Sequence, residues 1–135
     1  NLKSLNTKGL EFQLATPFKL GQYNQALNLG YTYLEEDLNA IRANFSKYVI
    51  NSLNHHLTAR IKSQFTKNLT QNIVYKFAER ATGESYSIVD AQLKLRIDGL
   101  ELSVTANNIF NTHYIETGIV PMPKGNVLFG LRGFF

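Results

Sequence analysis

Val127-Leu-Phe-Gly-Leu-Arg-Gly-Phe-Phe135 is the stretch on which the fold turns. Counted back from Phe135, every second residue is Phe, Gly, Leu, Phe, Val, while the intervening set holds Phe134, Arg132 and Gly130. Period two of this kind places an apolar row on one side of a β-strand and a mixed row on the other. A strand of that character needs a neighbour along its edge, and the residues before it supply candidates.

The nearest is a hairpin. Val89, Ala91, Leu93, Leu95 and Ile97 alternate with Asp90, Gln92, Lys94 and Arg96. After Asp98-Gly99, Leu100, Leu102, Val104 and Ala106 alternate with Glu101, Ser103, Thr105 and Asn107. Asp-Gly between two alternating runs is a strong short-range signal for a tight β-turn. Further back, the same period marks strands over Gly9 to Thr16, Gln25 to Leu34, His55 to Phe65 and Leu69 to Phe77. With the hairpin and the terminal run this makes an all-β chain of about seven antiparallel strands.

Composition is consistent with strands that face two environments. The chain has 135 residues, a net charge of +4, no Cys and no Trp, but 7 Tyr and 9 Phe. Its size suits one domain. The lack of Cys removes disulfides and thiolate metal sites. No signal peptide is visible, nor a run of about 20 apolar residues that would cross a bilayer as a helix.

The connections read as alternating in length. Pro17 to Asn24, Thr66 to Asn68 and Asp98-Gly99 are short, while Glu35 to Asn54, Ala78 to Ser87 and Asn111 to Asn126 are longer. Antiparallel neighbours put successive turns at opposite ends, so this gathers the long loops at one end, as in the wall of an outer-membrane β-barrel. Several strands approach the roughly 9–11 residues that a tilted crossing requires. Tyr31, Tyr33, Phe65, Tyr75, Phe77 and Phe135 near strand ends would form its aromatic girdle. A soluble sandwich with an aromatic core is the competing account. Seven strands would leave two edges unsatisfied in lipid, so the pattern implies a piece of a larger barrel. An eighth strand within Glu35 to Ser52 is the weaker choice, because Phe45, Tyr48, Val49 and Ile50 do not alternate clearly.

Val104-Thr-Ala-Asn-Asn-Ile-Phe-Asn-Thr-His-Tyr114, with Gly30-Tyr-Thr-Tyr-Leu34, Lys47-Tyr-Val and the terminal Phe135, resembles the C-terminal part of a TonB-dependent outer-membrane receptor. The resemblance implies that residues 1–135 are the last strands of a membrane β-barrel of about 22 strands, with the plug domain, the TonB box and the earlier strands absent. It implies active transport of a scarce nutrient, such as a ferric siderophore, haem, cobalamin or an oligosaccharide, across the cell outer membrane of a Gram-negative bacterium. The implied partners are the plug domain and remaining barrel strands, an inner-membrane TonB-type energy-coupling protein, outer-membrane lipid and lipopolysaccharide, the barrel assembly machinery and a surface lipoprotein. Phe129, Leu131 and Phe135 resemble the C-terminal assembly signal of such precursors. Simple lipid contact by these residues is compatible with that role. Runner-up readings are a small porin or adhesin-like outer-membrane barrel and a soluble β-rich binding module.

Charge placement gives a second, independent set of expectations. Glu11, Arg60, Lys62, Lys76, Lys94, Arg96, Glu101 and Arg132 fall on one face. In a barrel they face the lumen, where they contact a plug or solvate a polar interior, with Arg96 or Arg132 near Glu101. Ligand contacts are expected from the long loops: His113, Tyr114, Glu116 and Lys124 from one, Arg42 and Tyr48 from another. For Tyr114 the alternative is packing of the strand end, and for the basic residues simple solvation. No catalysis, cofactor or metal is expected, since adjacent His55 and His56 point to opposite faces and no nucleophile and base share a motif. A nucleic-acid partner is not expected either.

Overall fold

The computed structural model describes residues 7–36, 53–116 and 120–134. Seven strands follow one another as β1 (Thr7–Leu20), β2 (Tyr23–Glu36), β3 (Leu53–Gln64), β4 (Leu69–Arg80), β5 (Ser85–Ile97), β6 (Leu100–Asn107) and β7 (Asn126–Gly133). They make one antiparallel sheet in chain order, with no crossover. Register explains the two faces. Phe12, Tyr31, Leu57 and Phe77 lie in one cross-strand row, and Asn28, Arg60, Val74 and Asp90 in another. A slip by one residue would exchange those rows, so the alternation in each strand holds its neighbours in place.

The sheet is open. Among the described residues its order ends at β1 on one side and β7 on the other, each with one partner. The expected fold, a membrane-barrel wall from a barrel of about 22 strands, is therefore corrected to an open all-β sheet of seven strands. One of its supports also fails. The connection expected from Ala78 to Ser87 shrinks to residues 81–84, because β4 continues to Arg80 and β5 begins at Ser85. It closes through Gly83 N–H to the Arg80 carbonyl at 2.9 Å. The β4–β5 connection is thus no longer than the one at 65–68, at the opposite end. Pro17, expected in a turn, lies inside β1 opposite Ala26. The segment weighed as a hidden eighth strand falls largely in 37–52, outside the described residues.

Asp98 and Gly99 both have positive φ, 41° and 80°, the pair of values that a type I′ hairpin needs. The β6–β7 connection is tied down by an asparagine. Asn108 has φ 47° and is 3 % exposed. Its side chain donates to the Thr112 carbonyl at 2.9 Å and accepts from Thr112 N–H at 2.8 Å. Its own N–H donates to Asp90 Oδ1 at 2.8 Å. Arg80 adds hydrogen bonds to the carbonyls of Ile115 and Glu116, and Tyr86 packs at a tilt of 34° against Tyr114 with centroids 4.8 Å apart. Ala78 and Ile88, two residues from Arg80 and Tyr86 along their strands, are the buried apolar side chains of the described residues.

The opposite, apolar face has no second layer among the described residues. Ile61, Leu93, Leu102, Phe129 and Leu131 stand exposed there, the last two at 82 % and 72 %. Asn108→Ala would leave the Thr112 peptide groups without their partner and put at φ 47° a residue that lacks the local hydrogen bonds by which asparagine tolerates the left-handed region. It should cost about 2–3 kcal/mol locally, read as faster hydrogen exchange at the Thr112 amide while exchange in β2 and β3 stays unchanged.

Candidate functional site

Six basic side chains and one carboxylate meet on the polar face at the end of the sheet nearer the turns 21–22, 65–68 and 98–99. The basic set is Lys19, Arg60, Lys62, Lys67, Lys94 and Arg96, and the carboxylate is Glu101. Strand parity puts them together: Lys62 is level with Asn72, Asn72 with Gln92, Thr70 with Lys94 and Arg96 with Glu101. They line an open groove of about 1020 Å³ whose floor also carries Asn28, Asn72 and Gln92.

The charges divide into two groups. Glu101 accepts from Arg96 Nη2 at 2.8 Å and lies 3.7 Å from Lys94 Nζ. The Arg96 hydrogen bond, helped by the nearby Lys94 and Arg132, holds its carboxyl below the ordinary value of 4.5 against an opposing effect of desolvation. Among the described residues no carboxylate forms an ion pair with Lys19, Arg60, Lys62 or Lys67. Their positive charge is left to attract an anion.

The residues expected to share a polar face separate into different environments. Arg60, Lys62, Lys94, Arg96 and Glu101 line the groove. Lys76 sits higher on the face and pairs with Asp90 at 3.7 Å. Arg132 is level with Glu101 across the β6–β7 pair, but its guanidinium covers the Phe134 ring at 4.9 Å. Arg96 does the same at 4.9 Å, so the ring lies against both cations.

The loop residues are elsewhere. His113, Tyr114, Glu116 and Lys124 belong to the β6–β7 connection, at the other end of the sheet from the groove. Tyr114 packs on Tyr86 there. Burial first, and the Glu116 carboxylate second, push both phenols up from their usual value. Arg42 and Tyr48 lie outside the described residues, as does Phe135. Phe129 and Leu131 project from the apolar face of β7. Sequence reading did not single out Arg80, Asn108 or the Tyr31–His55 hydrogen bond of 2.8 Å on the apolar face. Register brings His55 to Tyr31, whereas Asn108 meets Thr112 within its own connection and Arg80 reaches that connection from the end of β4.

Glu101→Gln removes the carboxylate while keeping its shape. In the unsubstituted chain the contribution of Glu101 to stability should be complete above the ordinary carboxylate value of 4.5 and disappear as pH falls below it, through the lowered value of the folded state. Denaturant midpoints measured from neutral pH down to pH ~3 should show that loss, and the Gln variant should lack this component.

Comparison with family models, curated proteins and solved structures finds no match to this chain. What corrects the expected kinship with TonB-dependent receptors is the sheet, open at β1 and β7 among the described residues, and with the kinship go nutrient transport, the outer-membrane location, the TonB box and the membrane-strand description. The open sheet provides no closed wall for a plug domain or for an inner-membrane TonB-type partner. The further partners inferred from that kinship, namely remaining barrel strands, lipid and lipopolysaccharide, assembly machinery and surface lipoprotein, lose their basis with it.

Proposed function

We propose that this chain is a β-rich binding module whose polar groove captures an acidic polysaccharide without transforming it. The observation that carries this reading is the concentration of Lys19, Arg60, Lys62 and Lys67 on one open face, with the single groove carboxylate already engaged by Arg96 and Lys94. Sulfate or uronate groups suit such cations, since a hydrogen bond to a charged partner contributes about 1.5–3 kcal/mol. Amides at Asn28, Asn72 and Gln92 supply donors and acceptors for hydroxyls between the charges. Phe18 is the single aromatic residue in the lining. Base recognition on a sheet relies on aromatic stacking, so a sugar chain fits this surface better than single-stranded nucleic acid.

The test is calorimetric titration of the full chain with a heparin octasaccharide, using neutral dextran of similar length as control. Heparin binding should weaken as salt rises, and dextran should not bind measurably. Replacing Arg60 and Lys62 together by Gln should weaken heparin binding at least ~10-fold. Glu101→Gln should tighten it, because Lys94 and Arg96 lose their internal partner. Equal affinity for dextran, or no response to the double substitution, would reject the proposal.

A further inference from the structure

The outer edge of β1 carries a separate binding capacity. All 14 residues of this strand are exposed, although β2 covers one of its sides. In an antiparallel pair, alternate residues direct N–H and C=O toward the partner and away from it. Pro17 has no N–H, and such a residue fits a strand where its nitrogen points off the ladder. Residues of the same parity, Gly9, Glu11, Gln13 and Ala15, therefore present their peptide groups outward. The opposite side agrees with this assignment. Asn24, level with Lys19, sends its N–H toward β3, where Gln64 Oε1 accepts it at 3.2 Å.

Edges of natural sheets are usually blunted by proline, lysine, bulges or short length. Here Lys8 stands at one end and Pro17 with Lys19 at the other. Between them, Gly9 to Thr16 runs in unbroken register with β2 and contains neither lysine nor proline. Leu10, Phe12 and Leu14 remain 65 %, 53 % and 41 % exposed along that stretch. The opposite edge, β7, is only 8 residues long and includes Gly130 and Gly133. β1 is the longer and better furnished template.

We infer that the β1 edge accepts an extended segment of another polypeptide as an added antiparallel strand. Its chemistry follows from β1 itself. Apolar or aromatic residues belong opposite Leu10, Phe12 and Leu14, and an acidic residue belongs opposite Lys8. β2 already meets those requirements from the inner side with Tyr33, Tyr31, Leu29 and Glu35. Charge and face complementarity thus specify a period-two strand rather than any unfolded chain, with main-chain hydrogen bonds for affinity and alternate side chains for selectivity.

A synthetic peptide with the sequence Tyr23–Glu36 is the probe, and a peptide of the same composition in scrambled order is its control. Added to the full chain, the matched peptide should slow hydrogen exchange at Glu11, Gln13 and Ala15 at least tenfold, and the scrambled one should not. Gln13→Pro removes an outward donor and should abolish binding, with continued protection of the Leu10, Phe12 and Leu14 amides showing that the β1–β2 ladder persists. Phe12→Lys keeps every backbone donor and should weaken the matched peptide about tenfold. Equal binding of both peptides, no change at the three edge amides, or indifference to Gln13→Pro would overturn the inference. So would protection of those amides by the chain alone with a concentration-dependent doubling of mass, which would assign the edge to a second copy.

Discussion

One continuous backbone ladder underlies everything else in this molecule. Because side chains alternate across a strand, the pairing of β1 with β2 fixes which row of β2 faces which way, and that choice passes through each later pair to β7. The basic groove, the apolar face and the exposed edge are all products of the same register. None could move to the other face without reversing the others. The short turns enforce it locally, with Asp98 and Gly99 supplying the positive φ values that a two-residue reversal demands.

Much of this was legible in the residues. The hairpin from Val89 to Asn107 combines clean alternation with a turn dipeptide that few other conformations would favour, and β5 and β6 follow it. Boundaries were harder. Glu79 and Arg80 look like loop residues because charge interrupts the apolar rhythm, yet Arg80 continues β4 and finds carbonyls of the β6–β7 connection. Pro17 looks like a turn but remains in β1, where the outer edge requires no donor from it. Periodicity also says nothing about whether a sheet closes, so a barrel and an open sheet share one local pattern.

The site was legible in part for a related reason. Parity alone places Arg60, Lys62, Lys76, Lys94, Arg96, Glu101 and Arg132 on one face. It does not say that Asp90 takes Lys76, or that Arg132 turns to Phe134. Long loops drew attention to His113 and Tyr114, whereas six basic side chains and Glu101 converge near the opposite turns. That convergence depends on the heights at which strands pair, which a linear reading cannot assign. The loop is occupied with its own anchoring through Asn108 and Arg80.

Strand order that copies chain order has a consequence for cooperativity. Each strand exchanges contacts mainly with its predecessor and successor, so the sheet behaves as a row of nearest-neighbour couplings, in the manner of a repeat array. Loss of a terminal strand removes one coupling and creates a new edge, while a break at β4 divides the row in two. Disruption should then spread inward from the margins, leaving the middle of the sheet as the last part to melt.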